Sequence, residues 1–134
     1  MQVDVVSPEK LLFSSEAVSV EIPGSDGDMT AMANHAPLIT TLRPGILRVV
    51  QEKGASEYVV TGGFAELGET VSVLAERAVL KADFDRKMFD ELVAAAQTAL
   101  DSARANMAGD AVDMAAKSLS DFNILGENLS LIHI

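Results

Sequence analysis

The spacing of apolar positions changes once along the chain. Through Leu80, apolar and polar residues alternate in short runs: Gln2 to Val6, Ala17 to Ile22 with Val18, Val20 and Ile22 on one face, Glu57 to Thr61 with Tyr58 and Val60 opposite Val59, and Thr70 to Leu74. A period of two belongs to a strand with one face buried. Leu11 to Phe13, Leu38 to Leu42, Ile46 to Gln51 and Phe64 to Leu67 are further β-prone runs. Ser7-Pro8-Glu9-Lys10, Glu52 to Ser56, Gly62-Gly63 and Gly68-Glu69 separate them as turns or breaks. Short strands so closely spaced predict a sandwich or a barrel.

From Asp83 the period lengthens to three and four. Phe84, Met88, Leu92, Ala95, Ala96, Ala99, Ala103 and Met107 form a helical stripe, with Asp83 as N-cap and a stop near Ala108-Gly109. Asp110 then caps a second helix that carries Val112, Ala115, Ala116 and Leu119 on one face. So short a connection predicts an antiparallel helical hairpin. Its Ala-rich stripes bury little area, so at ~25 cal/mol per Å² the pair is weakly held. Past Phe122 the pattern fades, and Gly126-Glu127-Asn128 reads as a turn. Leu129 to Ile134 is apolar; a docked strand, a disordered tail and a non-native appendage all fit it. The expected domains are a β domain over residues 1–80 and a helical hairpin with an apolar tail over 81–134.

One stretch interrupts the β pattern more than any other. Glu21 to Gly45 holds three of the four prolines. The turn clusters Pro23-Gly24-Ser25-Asp26-Gly27-Asp28 and Arg43-Pro44-Gly45 bracket it, and Asn34-His35-Ala36-Pro37 divides it. This predicts a folded loop-and-strand ribbon that presents side chains at one end of the β domain.

Composition narrows the chemistry. The net charge is −10, shared by both halves, with no basic cluster. Such a surface repels phosphate backbones and anionic lipid, so neither nucleic acid nor direct membrane binding is expected, whereas a basic partner fits. There is no Cys, which removes thiolate chemistry and disulfides and fits a reducing compartment. Met1-Gln2-Val3-Asp4 lacks the basic and apolar regions of a secretory signal, and no apolar run reaches the ~18 residues that span a bilayer. No second His or carboxylate pair accompanies His35 at ligand spacing, and no Ser-His-Asp set can be assembled. An enzyme is not expected, nor any metal or cofactor. Gly62-Gly63 lacks the pattern of a phosphate loop and reads as a bulge or a close backbone approach.

The chain resembles the epsilon subunit of bacterial F-type ATP synthase, the equivalent of the mitochondrial delta subunit. The likeness rests on Val6-Ser7-Pro8-Glu9, Glu21-Ile22-Pro23-Gly24, Gly27-Asp28, Asn34-His35-Ala36-Pro37-Leu38-Ile39-Thr40, Leu42-Arg43-Pro44-Gly45, Gly62-Gly63-Phe64-Ala65-Glu66 and Val71 to Ala78, in order. It implies an all-β N-terminal sandwich followed by a C-terminal antiparallel α-helical hairpin. It further implies a non-catalytic central-stalk subunit that couples proton-driven rotation of the c-ring to ATP synthesis, with regulation of ATP hydrolysis as a candidate further role. The implied partners are the gamma subunit and the c-ring, with the alpha and beta subunits as candidates through the hairpin. The implied location is peripheral, on the cytoplasmic face of the bacterial inner membrane, through the complex alone.

Carried over residue by residue, the resemblance places His35, Ala36, Pro37 and Leu38 at the gamma interface. A turn histidine bonding its own backbone is the alternative for His35. Asp26, Asp28, Met29 and Arg43 fall at the c-ring contact, with a solvated turn as the alternative. Some members of the family close the hairpin around ATP, using an LDxxRA element that opens the first helix. Here Leu100-Asp101-Ser102-Ala103-Arg104-Ala105 matches it only late in that helix, and Met88 stands where an Arg is wanted. The helices offer only Arg86 and Arg104 to a triphosphate, so ATP binding is not expected. The rival to the stalk reading is a stand-alone β-sandwich module for a basic partner or a small ligand, which would show a concave pocket with converging polar groups.

Overall fold

The computed structural model describes residues 1–106 and 109–129. The chain divides into two compact units, one covering Met1–Asp83 and one beginning at Phe84.

The first unit is built from β1 (Gln2–Val6), β2 (Leu11–Glu16), β3 (Ser19–Gly24), β4 (Gly27–Met32), β5 (Leu38–Thr41), β6 (Gly45–Gln51), β7 (Gly54–Leu67) and β8 (Val71–Leu80), with a 3₁₀ turn over Lys81–Asp83. Hydrogen bonds link the strands in the order β2-β1-β8-β7-β6-β3-β4, and β5 adds to β7. All pairs are antiparallel except β1 with β8. Alternate side chains from β1, β3, β6, β7 and β8 share one apolar core, in which Val3, Val5, Val20, Leu47, Val49, Val60, Val71 and Val73 are fully buried. β-branched residues suit these half-buried, pleated positions.

Where the strands differ from the sequence reading, the reason is local. Val18 does not share a face with Val20 and Ile22: it precedes β3 and is exposed, while the other two are buried. Gly62-Gly63 does not break the strand. β7 runs through both glycines in unbroken register with β8, Thr61 facing Arg77 and Gly63 facing Ala75. What changes there is the inward phase, from Tyr58 and Val60 to Ala65 and Leu67, and the neighbour on the other edge, from β6 to β5. Gly62 and Gly63 have φ of 65° and 102°, which lets one long strand turn this corner. A Cβ on Gly63 would collide with the Leu74 carbonyl, so the close backbone approach read from the sequence is present. The β6–β7 loop is only Glu52-Lys53, because Gln51 already pairs with Gly54. Strand β4 lies within the stretch expected to form a ribbon, and pairs along its length with β3.

The second unit contains α1 (Arg86–Ala105) and α2 (Gly109–Asn128). Asp85, not Asp83, is the N-cap, and its carboxylate accepts from the Met88 N–H at 2.8 Å. Asp83 belongs to the preceding 3₁₀ turn. The buried stripe of α1 is Phe89, Leu92, Ala96, Leu100 and Ala103; Ala95 and Ala99 are exposed. The real stripe is rotated toward the larger side chains because they bury more area. Gly126 is not in a turn: α2 continues through it, and Phe122, Leu125 and Gly126 are buried. Ala116 is exposed, while Val112, Ala115 and Leu119 are half-buried. Leu100 and Ala103 of the LDxxRA-like run serve this packing, and Asp101 accepts from Gln97 Nε2 at 3.0 Å. α1 stops at Ala105, ahead of the expected Ala108-Gly109, and Gly109 already belongs to α2, so Asp110 lies within that helix and does not precede it as a cap. Met107, Ala108, the Asp110 side chain and the tail from Ser130 lie outside the described residues.

Candidate functional site

The two turn clusters that bracket Glu21 to Gly45 meet in space. β3 and β4 are joined by Ser25-Asp26, since Gly24 pairs with Gly27. The chain between β5 and β6 lies alongside. Gly24 forms a bridge with Leu42, the Ser25 N–H donates to the Thr41 carbonyl at 2.9 Å, and the Arg43 N–H donates to the Pro23 carbonyl at 3.0 Å. The hydroxyl oxygens of Ser25 and Thr41 lie 2.6 Å apart. Gly45 packs so closely on Pro23 that an added Cβ would lie 2.6 Å from the proline Cβ. A larger residue there would force the turns apart.

Arg43 occupies the centre of this tip. Its Nη1 donates to the Gly24 carbonyl at 2.5 Å, and its Nη2 pairs with the Asp28 carboxylate. The Arg43 side chain is 26% exposed and that of Asp28 80%. Asp26 is exposed at the turn, with no ion pair among the described residues. Met29 pairs with Ile22 and packs partly against the core. Asp26, Asp28 and Arg43 are therefore brought together, with two of their three charges compensated internally.

His35 to Leu38 flank the other end of β4. Asn34 takes a left-handed conformation, φ 63°, at the reversal. His35 Nδ1–H donates to the Ala36 carbonyl at 2.6 Å, a local bond that holds the ring against its own backbone. Ala36, Pro37 and Leu38 are exposed, and Leu38 opens β5 opposite Leu67. The two groups of candidate residues thus form two separate surfaces.

A third surface contains none of the candidate residues. Val6 faces Leu11 on one side and Leu74 on the other, and Leu74 faces Phe64. Leu11, Phe64 and Leu74 are 60%, 44% and 43% exposed. They form a cross-strand apolar row on the outer side of the sheet, with Ile39 exposed on neighbouring β5. The adjacent row carries Asp4 and Glu66, both facing Ser72. Bonds from Ser14 Oγ at 2.6 Å and Gln2 Nε2 at 3.1 Å hold the Asp4 carboxyl below its usual range. The signal was available: these apolar residues sit in the outward phase of their strands, where a solvated sheet would be polar.

Among the described residues no group of three His, Cys, Asp or Glu side chains could hold a metal. An open cleft of about 550 Å³ touches Ser15, Glu16, Gln51 and Lys53, but the Gln51 amide is already committed to the Glu16 carbonyl at 2.9 Å. Glu52 also lines it, beside Lys53.

The family model for the ATP synthase delta/epsilon chain beta-sandwich domain matches residues 1–81. An ATP synthase epsilon chain of Fuscovulum blasticum is 53% identical over 126 residues, covering 93% of this chain and 92% of that protein. One of Ruegeria sp. (strain TM1040) is 50% identical over 133 residues, covering 98% and 97%. Among solved structures, a chain of the Euglena gracilis mitochondrial ATP synthase, in an assembly of OSCP, F1 and c-ring, superposes with a TM-score of 0.70 at 23% identity, covering 95% of this chain and 79% of that one. That likeness bears on the fold. The match of the sandwich domain and the identity to relatives over nearly the full length carry the assignment: this chain belongs to the ATP synthase epsilon chain family.

Proposed function

We propose that this chain is a non-catalytic subunit of the central stalk of an F-type ATP synthase, where it couples c-ring rotation to the catalytic head. The observation that carries this reading is the family membership, reached through relatives matched over nearly their whole length. The surface agrees with a subunit that works inside an assembly. An apolar row on the outer sheet face is more than a solitary soluble domain needs, and the tip and the His35 segment offer separate contact regions. In this reading Asp26, Asp28, Met29 and Arg43 form the end that meets the c-ring. The acidic character of Asp26 attracts basic loops. His35, Ala36, Pro37 and Leu38 face the gamma subunit, and the row of Leu11, Val6, Leu74 and Phe64 extends the stalk contact across the sheet. The sandwich over residues 1–80 does the binding, and the hairpin over 81–134 is the part available to the alpha and beta subunits.

As an epsilon-family chain it is part of a membrane-associated complex. No helix among the described residues is long and apolar enough to cross a membrane, and we place the chain peripherally on the cytoplasmic face of the bacterial inner membrane. The test is reconstitution. Synthase depleted of this chain should rebind the purified protein and recover ATP-driven proton pumping. Failure to rebind would remove the stalk reading and leave the stand-alone binding module.

A further inference from the structure

The turn Ser25-Asp26 is a two-residue hairpin loop followed by a glycine. Such loops favour positive φ at one or both central residues, because that twist matches the flanking strands. Here neither Ser25 nor Asp26 supplies it; Gly27, directly after them, does, with φ of 138°, as Gly54 does after the Glu52-Lys53 turn. The contacts of Arg43 add to this closure from outside the hairpin. One nitrogen of the guanidinium reaches the Gly24 carbonyl just before the turn, and the other reaches Asp28 just after it. The backbone of Arg43 is fixed by its own bond to Pro23. A planar guanidinium can bridge two acceptors in this way; a lysine ammonium is a single point charge on a flexible stem.

We propose that Arg43 is a positioning residue and not a partner contact. It clamps the β3–β4 hairpin to the segment before β6, so that both turns form one rigid tip. It also compensates Asp28, leaving Asp26 as the uncompensated charge that a partner reads. The clamp stands on this chain's own geometry; its consequence for partner binding rests on the stalk reading.

Two measurements separate these claims. The first is amide hydrogen exchange on the free full-length chain. In Arg43→Ala, exchange at the Ser25 amide, which bonds the Thr41 carbonyl across the tip, should rise about tenfold, as expected for loss of charge-assisted bonds, with Arg43→Lys intermediate. Unchanged exchange overturns the clamp. The second is binding to synthase depleted of this chain, for Arg43→Ala, Asp28→Ala and the double variant. A positioning pair gives losses that do not add, because either change already opens the tip, whereas Asp26→Asn flattens the salt dependence of binding. Additive losses, or a salt dependence that follows Arg43 instead of Asp26, would make Arg43 a direct contact and overturn the proposal. Wild-type protein that does not bind counts against the stalk reading, and with it against any partner-directed role of Arg43, while the exchange rates still judge the clamp.

Discussion

Gly126 of α2 faces the ring of Phe89 of α1 at a distance that leaves no room for a side chain: a Cβ there would collide with the ring edge. This contact explains how a glycine sits inside a helix, where it would otherwise cost about 1 kcal/mol relative to alanine. The small residue admits a buried phenylalanine ring.

The contact predicts a compensating pair. Gly126→Val overpacks the site and should destabilise the hairpin by about 1–3 kcal/mol. Phe89→Ala leaves a cavity and should cost about 3–5 kcal/mol. Combined with Phe89→Ala, Gly126→Val should cost little more or recover some stability, because the added methyls enter the vacated space. Thermal unfolding followed by the helical circular dichroism signal checks this, and strictly additive losses would contradict it.

At the sandwich corner, Gly63→Ala should be among the most damaging glycine substitutions. It combines a φ of 102° with a collision against the Leu74 carbonyl. Backbone strain of this kind costs on the order of 1–3 kcal/mol before the clash is relieved. Gly54→Ala, with φ of 149° but open space around it, should cost less. Denaturant midpoints of the two variants give the comparison.

Gly62-Gly63 and Gly126 mark the limit of what the sequence makes legible. The β half, the change of period near Asp83 and the helical hairpin could all be read from spacing. A period of two predicts alternation but not where its phase flips, so Gly62-Gly63 read as a break when it is a bend within one strand. Gly126 read as a turn because propensity speaks before packing does. The exposed positions of Ala95 and Ala99 follow from the same limit: several stripes fit a helix rich in alanine, and only the partner helix selects the one through Phe89 and Leu100. The residues of the tip were recognisable one by one. The pairing of Arg43 with Asp28 was not, because it depends on two turns meeting across fifteen positions of sequence.

Tyr58 gives the sandwich a built-in reporter, since it is the only tyrosine and there is no tryptophan. Burial raises its phenol above the ordinary value of 10.0. The native state therefore holds the proton more tightly than the unfolded chain. Stability contributed by this difference is complete below about pH 10, the unfolded value, and is lost as pH rises through the higher folded value. Phenolate absorbance of the native protein should titrate above that of free tyrosine. Tyr58→Phe should remove this part of the alkaline loss of stability.

The outer row should be separable from the fold. Phe64→Ser and Leu74→Ser alter side chains that are nearly half exposed, so each should cost about 1 kcal/mol, the size of a lost cross-strand pair, and leave the fold intact. Both should nevertheless weaken binding to depleted synthase. Thermal unfolding beside a binding titration checks the two halves of this prediction, and normal binding by a fully folded double variant would take the row out of the interface.

Affinity capture of the tagged full-length chain from the membranes of its own source, with identification of what is retained, tests the central claim most directly. The account predicts that gamma and the c-ring are recovered together with the catalytic subunits, and that His35→Asp reduces the yield. Recovery of the chain alone, or with proteins unrelated to ATP synthase, would contradict it.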